Sequence, residues 1–172
     1  VLCTNQIQIQ MISFAYAWCL GTFCARHVAR FGGQLLSCQL PWHPLQSQDM
    51  LQRWEESAIS LGVHALLSWW GSSVVAPYAS GNVSWDVLWQ APTSEGESEV
   101  LRNFMTHQLC SWGVVAFTCV AIYPKRKDHV QMVLHHITTI ALVAGCLQQE
   151  SLLRLGAVVS FLHNITDVLV EC

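Results

Sequence analysis

Residues 134–171 read LHHITTIALVAGCLQQESLLRLGAVVSFLHNITDVLVE. Two apolar runs flank a polar Gln148-Gln149-Glu150-Ser151 turn, and each run carries histidine where hydrocarbon penalises it. If both runs are helices, His135 lies one turn from Thr139 and His136 three residues from it, so all three can border one pocket. In the second run Ser160, His163, Asp167 and Glu171 recur every three or four residues, a continuous polar stripe on an otherwise apolar helix. Such a stripe needs a partner inside a bundle.

The surrounding chain fits that setting. It is 52 % hydrophobic and only 11 % charged, with a mean hydropathy of +0.36, against about 25 % charge in soluble domains. A membrane protein is expected. The eight Lys and Arg residues are distributed by loop and form no basic face, which sets nucleic-acid binding aside. The eight cysteines contain no C-x-x-C pair and mostly lie in apolar runs, so they read as small packed hydrophobes and not as disulfides or zinc ligands. The chain starts at Val1 with no signal-peptide pattern and stops at Cys172 directly after an apolar run, which reads as an internal piece.

Spans are expected at about 7–25, 58–78, 102–123, 130–148 and 152–172, each close to the ~20 residues that cross a bilayer core. Gln6, Gln8 and Gln10 blur the start of the first. Residues 26–57 read as a polar loop ending in a surface helix, Pro77 closes the second span, and 79–99 is an acidic loop without Lys or Arg. His64, alone in the second span, reads as a satisfied interior residue. The fold class is all-α: a polytopic transmembrane helix bundle with about five spans here and more in the full protein. Residues 1–49 form the first span and its loop, and 50–172 the main domain.

Loop charge orients the bundle. The loops at 26–57 and 124–129 each carry three basic residues, whereas 79–99 has none, and with five spans the first two fall on one side and the third opposite. By the positive-inside rule the first two are cytosolic. His135 then lies about 8 Å below the start of its span, and Asp167 near the cytosolic end of the last. Both polar sets share the cytosolic half. Asn82-Val83-Ser84 falls on the lumenal side as a short glycosylation motif.

Ionisable groups within spans cost about 2.5–3.5 kcal/mol each at the centre, so a set of them is a site hypothesis by default. His135 or His136 could serve as general base or nucleophile near neutral pH, with Asp167 fixing a tautomer and stabilising the imidazolium. The plainer reading is interhelical hydrogen bonding that holds the bundle. A metal site is the competing chemistry, but adjacent histidines point about 100° apart on a helix and no H-x-x-x-H box is present. No metal is therefore expected.

At these residues the chain resembles the TLC domain, and within it the ceramide synthases. Lys125-Arg126-Lys127-Asp128, Met132 and His135-His136-Ile137-Thr138-Thr139 resemble that family's K-R-K-D…M…H-H-x-x-T run. Arg154-Leu155-Gly156, followed by Leu162-His163-Asn164-Ile165-Thr166-Asp167 and Leu169-Val170-Glu171, resembles its R-x-G…L-H-D-x-x-D-x-x-L-E run. Arg53-Trp54-Glu55-Glu56-Ser57 is similar to its K-F-x-E-S segment, so the likeness covers about 50–172, with two further spans implied after the motif. One position departs: Asn164 stands where the family has the first acid, and asparagine keeps size and hydrogen bonding but cannot take up a proton.

The resemblance implies an endoplasmic-reticulum membrane acyltransferase that joins a fatty acyl group from acyl-CoA, as co-substrate, to the amine of a sphingoid base, with no bound cofactor. It assigns His135 and His136 as base and transient acyl carrier, and His163 and Asp167 as orienting and proton-handling partners. Thr139, Ser160, Asn164 and Glu171 fall to the substrate-binding shell. Lys125, Arg126 and Lys127 stand where CoA phosphates could be met, although their plain reading is as topology anchors. Membrane lipids are the implied partners, and self-association is left open. The alternative is a non-catalytic TLC protein that binds, senses or moves lipids.

Overall fold

The computed structural model describes residues 2–39, 47–79, 84–121 and 129–171, with side chains described at 12–35, 47–79, 84–121 and 129–170. Five α-helices run in chain order: α1 (Leu2–Gln39), α2 (Gln48–Ala79), α3 (Glu95–Ala121), α4 (His129–Gln148) and α5 (Leu153–Glu171). Short 3-10 turns at Trp85–Trp89 and Glu150–Leu152 lead into α3 and α5. No strand occurs among the described residues. The chain is an all-α helix bundle.

Four of these helical segments are long and apolar enough to cross a membrane: Gln48–Ala79, Glu95–Ala121, His129–Gln148 and Glu150–Val170. The expected first span at 7–25 falls within α1, but the side chains of 7–11 lie outside the described residues and α1 is not among the four. Large apolar side chains such as Phe31, Trp69, Phe117, Leu142 and Leu169 stand exposed around the bundle. An apolar exterior of that extent is a liability in water and suits lipid.

The segment 26–57 differs from the polar loop expected there. α1 continues to Gln39 and α2 begins at Gln48, because the charges that suggested a loop neutralise one another between two helices. Glu55, 1 % exposed, lies 3.1 Å from Arg26 Nε and 3.4 Å from Arg30 Nε, and Trp54 Nε1 donates to the Ala29 carbonyl at 2.9 Å. A buried carboxylate between two guanidiniums costs far less than a lone one. Ser47 caps α2 by accepting from the Met50 amide, and Ser94 caps α3 by accepting from the Glu97 amide.

α5 packs chiefly on α2, and α4 chiefly on α3, while α1 leans on α2 and α3. Val74, Leu101, Phe104, Met105, Val143, Leu153 and Ala157 form the buried core. Two glycines permit the tight crossings: a Cβ on Gly71 would lie 2.9 Å from the Phe161 ring, and one on Gly156 would lie 2.8 Å from Cys146 Cβ. At the end where α3 and α5 begin, Arg154, 3 % exposed, donates to both Glu97 carboxylate oxygens (2.7 and 2.9 Å) and to the Val87 carbonyl at 3.1 Å. Tyr78 donates to the same carboxylate at 2.6 Å. One ion pair thus ties α2, α3, α5 and the 3-10 turn together.

Candidate functional site

At the opposite end, where α2 and α4 begin and α3 and α5 finish, a cavity of about 280 Å³ opens among these four helices, with Thr22 of α1 at its wall. α2 contributes Glu56, Ser57, Ser60 and His64, and α4 contributes His129, Met132, His135 and His136. α3 contributes Trp112, Val115, Thr118 and Cys119, and α5 contributes Asp167 and Val170. The volume is at the small end of ligand pockets, so it suits the reacting ends of long molecules and not their whole length.

Trp112 of α3 is the hub. It is 3 % exposed, and its ring centroid lies 5.1 Å from that of His64, 5.5 Å from His136, 6.0 Å from His135 and 5.1 Å from His163. His135 and His163 approach to 5.2 Å, centroid to centroid. The histidines of the fourth and fifth helices therefore do share one locus. They meet across an α3 indole and an α2 histidine, since α5 rests mainly on α2 and α4 on α3.

Asp167 joins two of the rings. Its Oδ2 lies 3.6 Å from His64 Nδ1 and 3.6 Å from His163 Nε2, ion-pair distances slightly longer than a hydrogen bond. His64 Nδ1 is also 3.2 Å from Asn164 Oδ1, a buried contact. Buried polar atoms without a hydrogen bond concentrate here: His136 Nδ1, His163 Nε2, Asn164 Nδ2 and Asp167 Oδ2. A buried polar atom left without a partner costs about 1–3 kcal/mol, which makes this cluster a candidate site.

His135, His136 and Asp167 thus line the cavity, and His163 lies behind them, its ring tilted 41° to that of Trp112. Asn164 is fully buried and faces His64 instead of the cavity. Ser160 turns away from the expected stripe, buried with its Oγ donating to the Met105 thioether at 3.7 Å. Thr139 Oγ1 donates back to the His135 carbonyl at 3.0 Å and lies outside the cavity wall. Lys125, Arg126, Lys127 and Asn82, and the side chain of Glu171, lie outside the described residues. Among the described residues no group of three or more His, Cys, Asp or Glu side chains is disposed to hold a metal ion.

His64 is buried, as its place alone in an apolar run implies, yet it also faces the cavity, Asn164 and Asp167. A signal for this lay in the spacing Ser57, Ser60, His64, a polar stripe on α2 that complements the one on α5. For Trp112 there was none, because one tryptophan among apolar neighbours reads as lipid-facing or core alike.

A sequence profile described as the TLC domain matches residues 53–172, which takes in most of α2 and all of α3 to α5. The chain belongs to the TLC-domain family. No curated protein and no solved structure matches it. Every residue of the cavity except Thr22, which α1 supplies, falls inside the matched TLC domain. The TLC-domain assignment covers lipid-related membrane proteins and leaves the reaction to be argued from the site.

Proposed function

We propose that this TLC-domain protein is a membrane acyltransferase of the ceramide synthase type, moving a fatty acyl group from acyl-CoA to the amine of a sphingoid base in the endoplasmic-reticulum membrane. The observation that carries this is the convergence of His135, His136 and Asp167 on one cavity, with the His163 ring packed beside them. Acyl transfer to an amine needs a group to take a proton and a group to meet the acyl carbon, and an imidazole beside a carboxylate can supply either near neutral pH. His135 and His136 stand to handle the acyl group, and Asp167 and His163 to orient and pass protons. The apolar exterior supports an acceptor that is itself a bilayer lipid, since such a molecule can lie against the bundle.

Membranes containing the full-length protein, given long-chain acyl-CoA and sphinganine, are expected to form the N-acyl product, detected by mass spectrometry, and His136→Ala should abolish it. The second reading, a non-catalytic lipid binder, is favoured by Asn164 in place of an acid. Native membranes that make no product, beside an Asn164→Asp variant that does, would support that reading and refute the present one.

A further inference from the structure

Two features of the site have no role so far: the asparagine at 164, and the buried α2 histidine that faces it. His64 is 4 % exposed. Its Nδ1 lies 3.2 Å from Asn164 Oδ1 and 3.6 Å from Asp167 Oδ2. An ionised carboxylate only accepts, and an amide oxygen only accepts, so a nitrogen facing both is the one that carries hydrogen. The reversed amide would set Asn164 Nδ2 against Nδ1 and leave an imidazole lone pair beside the carboxylate, a repulsive arrangement. The carboxylate therefore decides both the amide's direction and the tautomer. With Nδ1–H held by α5, Nε2 keeps its lone pair, and the ring that bears it forms part of the cavity wall.

The other histidines are less well prepared. His136 Nδ1 is buried without a hydrogen bond. His163 faces Asp167 but stands outside the cavity wall. Among the described residues, His64 is the cavity histidine whose far nitrogen has a side-chain acceptor in hydrogen-bond reach, Asn164 Oδ1 at 3.2 Å, and a carboxylate oxygen at 3.6 Å behind it, the base-plus-orienter arrangement that proton transfer requires.

We propose that His64 is the general base of the TLC-domain site and that Asn164 and Asp167 are the positioning residues that hold it as the Nδ1–H tautomer. This rests on the acyl-transfer reading and moves the base role from α4 to α2, leaving His135 and His136 to the acyl carbonyl. In the step, the nitrogen of a neutral amine attacks the acyl carbon, the N–C bond forms and the C–S bond breaks. The proton shed by the nitrogen passes to His64 Nε2 and from there to the departing thiolate, which leaves as the thiol. Asparagine at 164 then has a reason. A carboxylate there would aim two negative charges at one N–H inside the bundle, whereas the amide supplies the acceptor without a second buried charge.

The tautomer is measurable without substrate, by ¹⁵N magnetic resonance on the full-length protein labelled at histidine and held in lipid bilayers, with His64 assigned through its backbone. The expected result is Nδ1–H at His64, the tautomer disfavoured in free histidine, with a move toward Nε2–H in Asn164→Leu. Nε2–H at His64 in the native chain overturns the proposal. In the acyltransferase assay His64→Gln, which retains an amide to pair with Asn164, should lower kcat roughly 100-fold or more with KM within about twofold. Undiminished kcat in His64→Gln also overturns it. A native chain that makes no product ends the acyl-transfer reading and the base role with it, while the tautomer result stands on its own, so the two failures are distinguishable.

Discussion

At Trp112 a single indole from α3 meets the rings of four histidines drawn from α2, α4 and α5, all with centroid separations of 6.0 Å or less. Removing it should do two separable things. Trp112→Ala opens a void in a buried position, at a cost of about 3–5 kcal/mol by analogy with core aromatics, and it frees the histidine rings to change rotamer. Trp112→Phe keeps a flat ring between them at a smaller loss of volume. Product formation should fall at least tenfold in the alanine variant, mainly through kcat, and remain within about threefold of native in the phenylalanine variant. Initial rates in membranes, normalised to folded protein by thermal melting, check this. Equal rates in all three would show the indole to be filler. The α4 and α5 parts of this locus could be read from helical spacing, since His135, His136, His163 and Asp167 are polar where apolar residues surround them. Trp112 could not, because its chemistry is ordinary for a span and its role lies in which helices it separates.

Among the helices, α2 and α5 form the most extensive shared interface in the bundle, and Gly71 is a point of close approach in it, where an added Cβ would sit 2.9 Å from the Phe161 ring and 3.1 Å from Phe104 Cζ. Phe161 lies on the helix that also presents Asn164 and Asp167 to His64. A Gly71→Val change must push α5 outward, at about 1–3 kcal/mol of overpacking strain, and the His64 to Asn164 contact lies along the same interface. The expected outcome is a protein that still inserts into membranes but melts lower and loses most of its turnover, with Gly62→Val, at a glycine with nothing within 4 Å of its would-be Cβ, as the unaffected control. Apolar runs made the spans themselves legible. The outward extension of α1 and α2 was not, since Arg26, Arg30 and Glu55 look like loop charges until two helices bring them within 3.4 Å. Nor does spacing along one helix reveal that α4 rests mainly on α3 and α5 mainly on α2, with a smaller direct contact between α4 and α5.

For the whole molecule, charge is sorted to the two ends of the bundle. The Arg26, Arg30 and Glu55 cluster sits at the end that holds the cavity, and the Arg154, Glu97 and Tyr78 network at the other. By the positive-inside rule the cavity end is expected in the cytosol, which is where the proposed water-soluble thioester would arrive while an amine-bearing lipid enters from the bilayer. The orientation is therefore a requirement of the proposed reaction as well as a reading of loop charge. It is tested with cysteines introduced at exposed positions at each end, Gln48→Cys near the start of α2 and Gln90→Cys before α3. In sealed microsomes with their cytosolic face outward, a membrane-impermeant maleimide should label Gln48→Cys above the background of the parent chain at once, and Gln90→Cys only after detergent permeabilisation. The reverse pattern would seat the cavity in the lumen, out of reach of cytosolic acyl-CoA. That result would rule out acyl transfer from the cytosolic thioester pool even with every histidine in place.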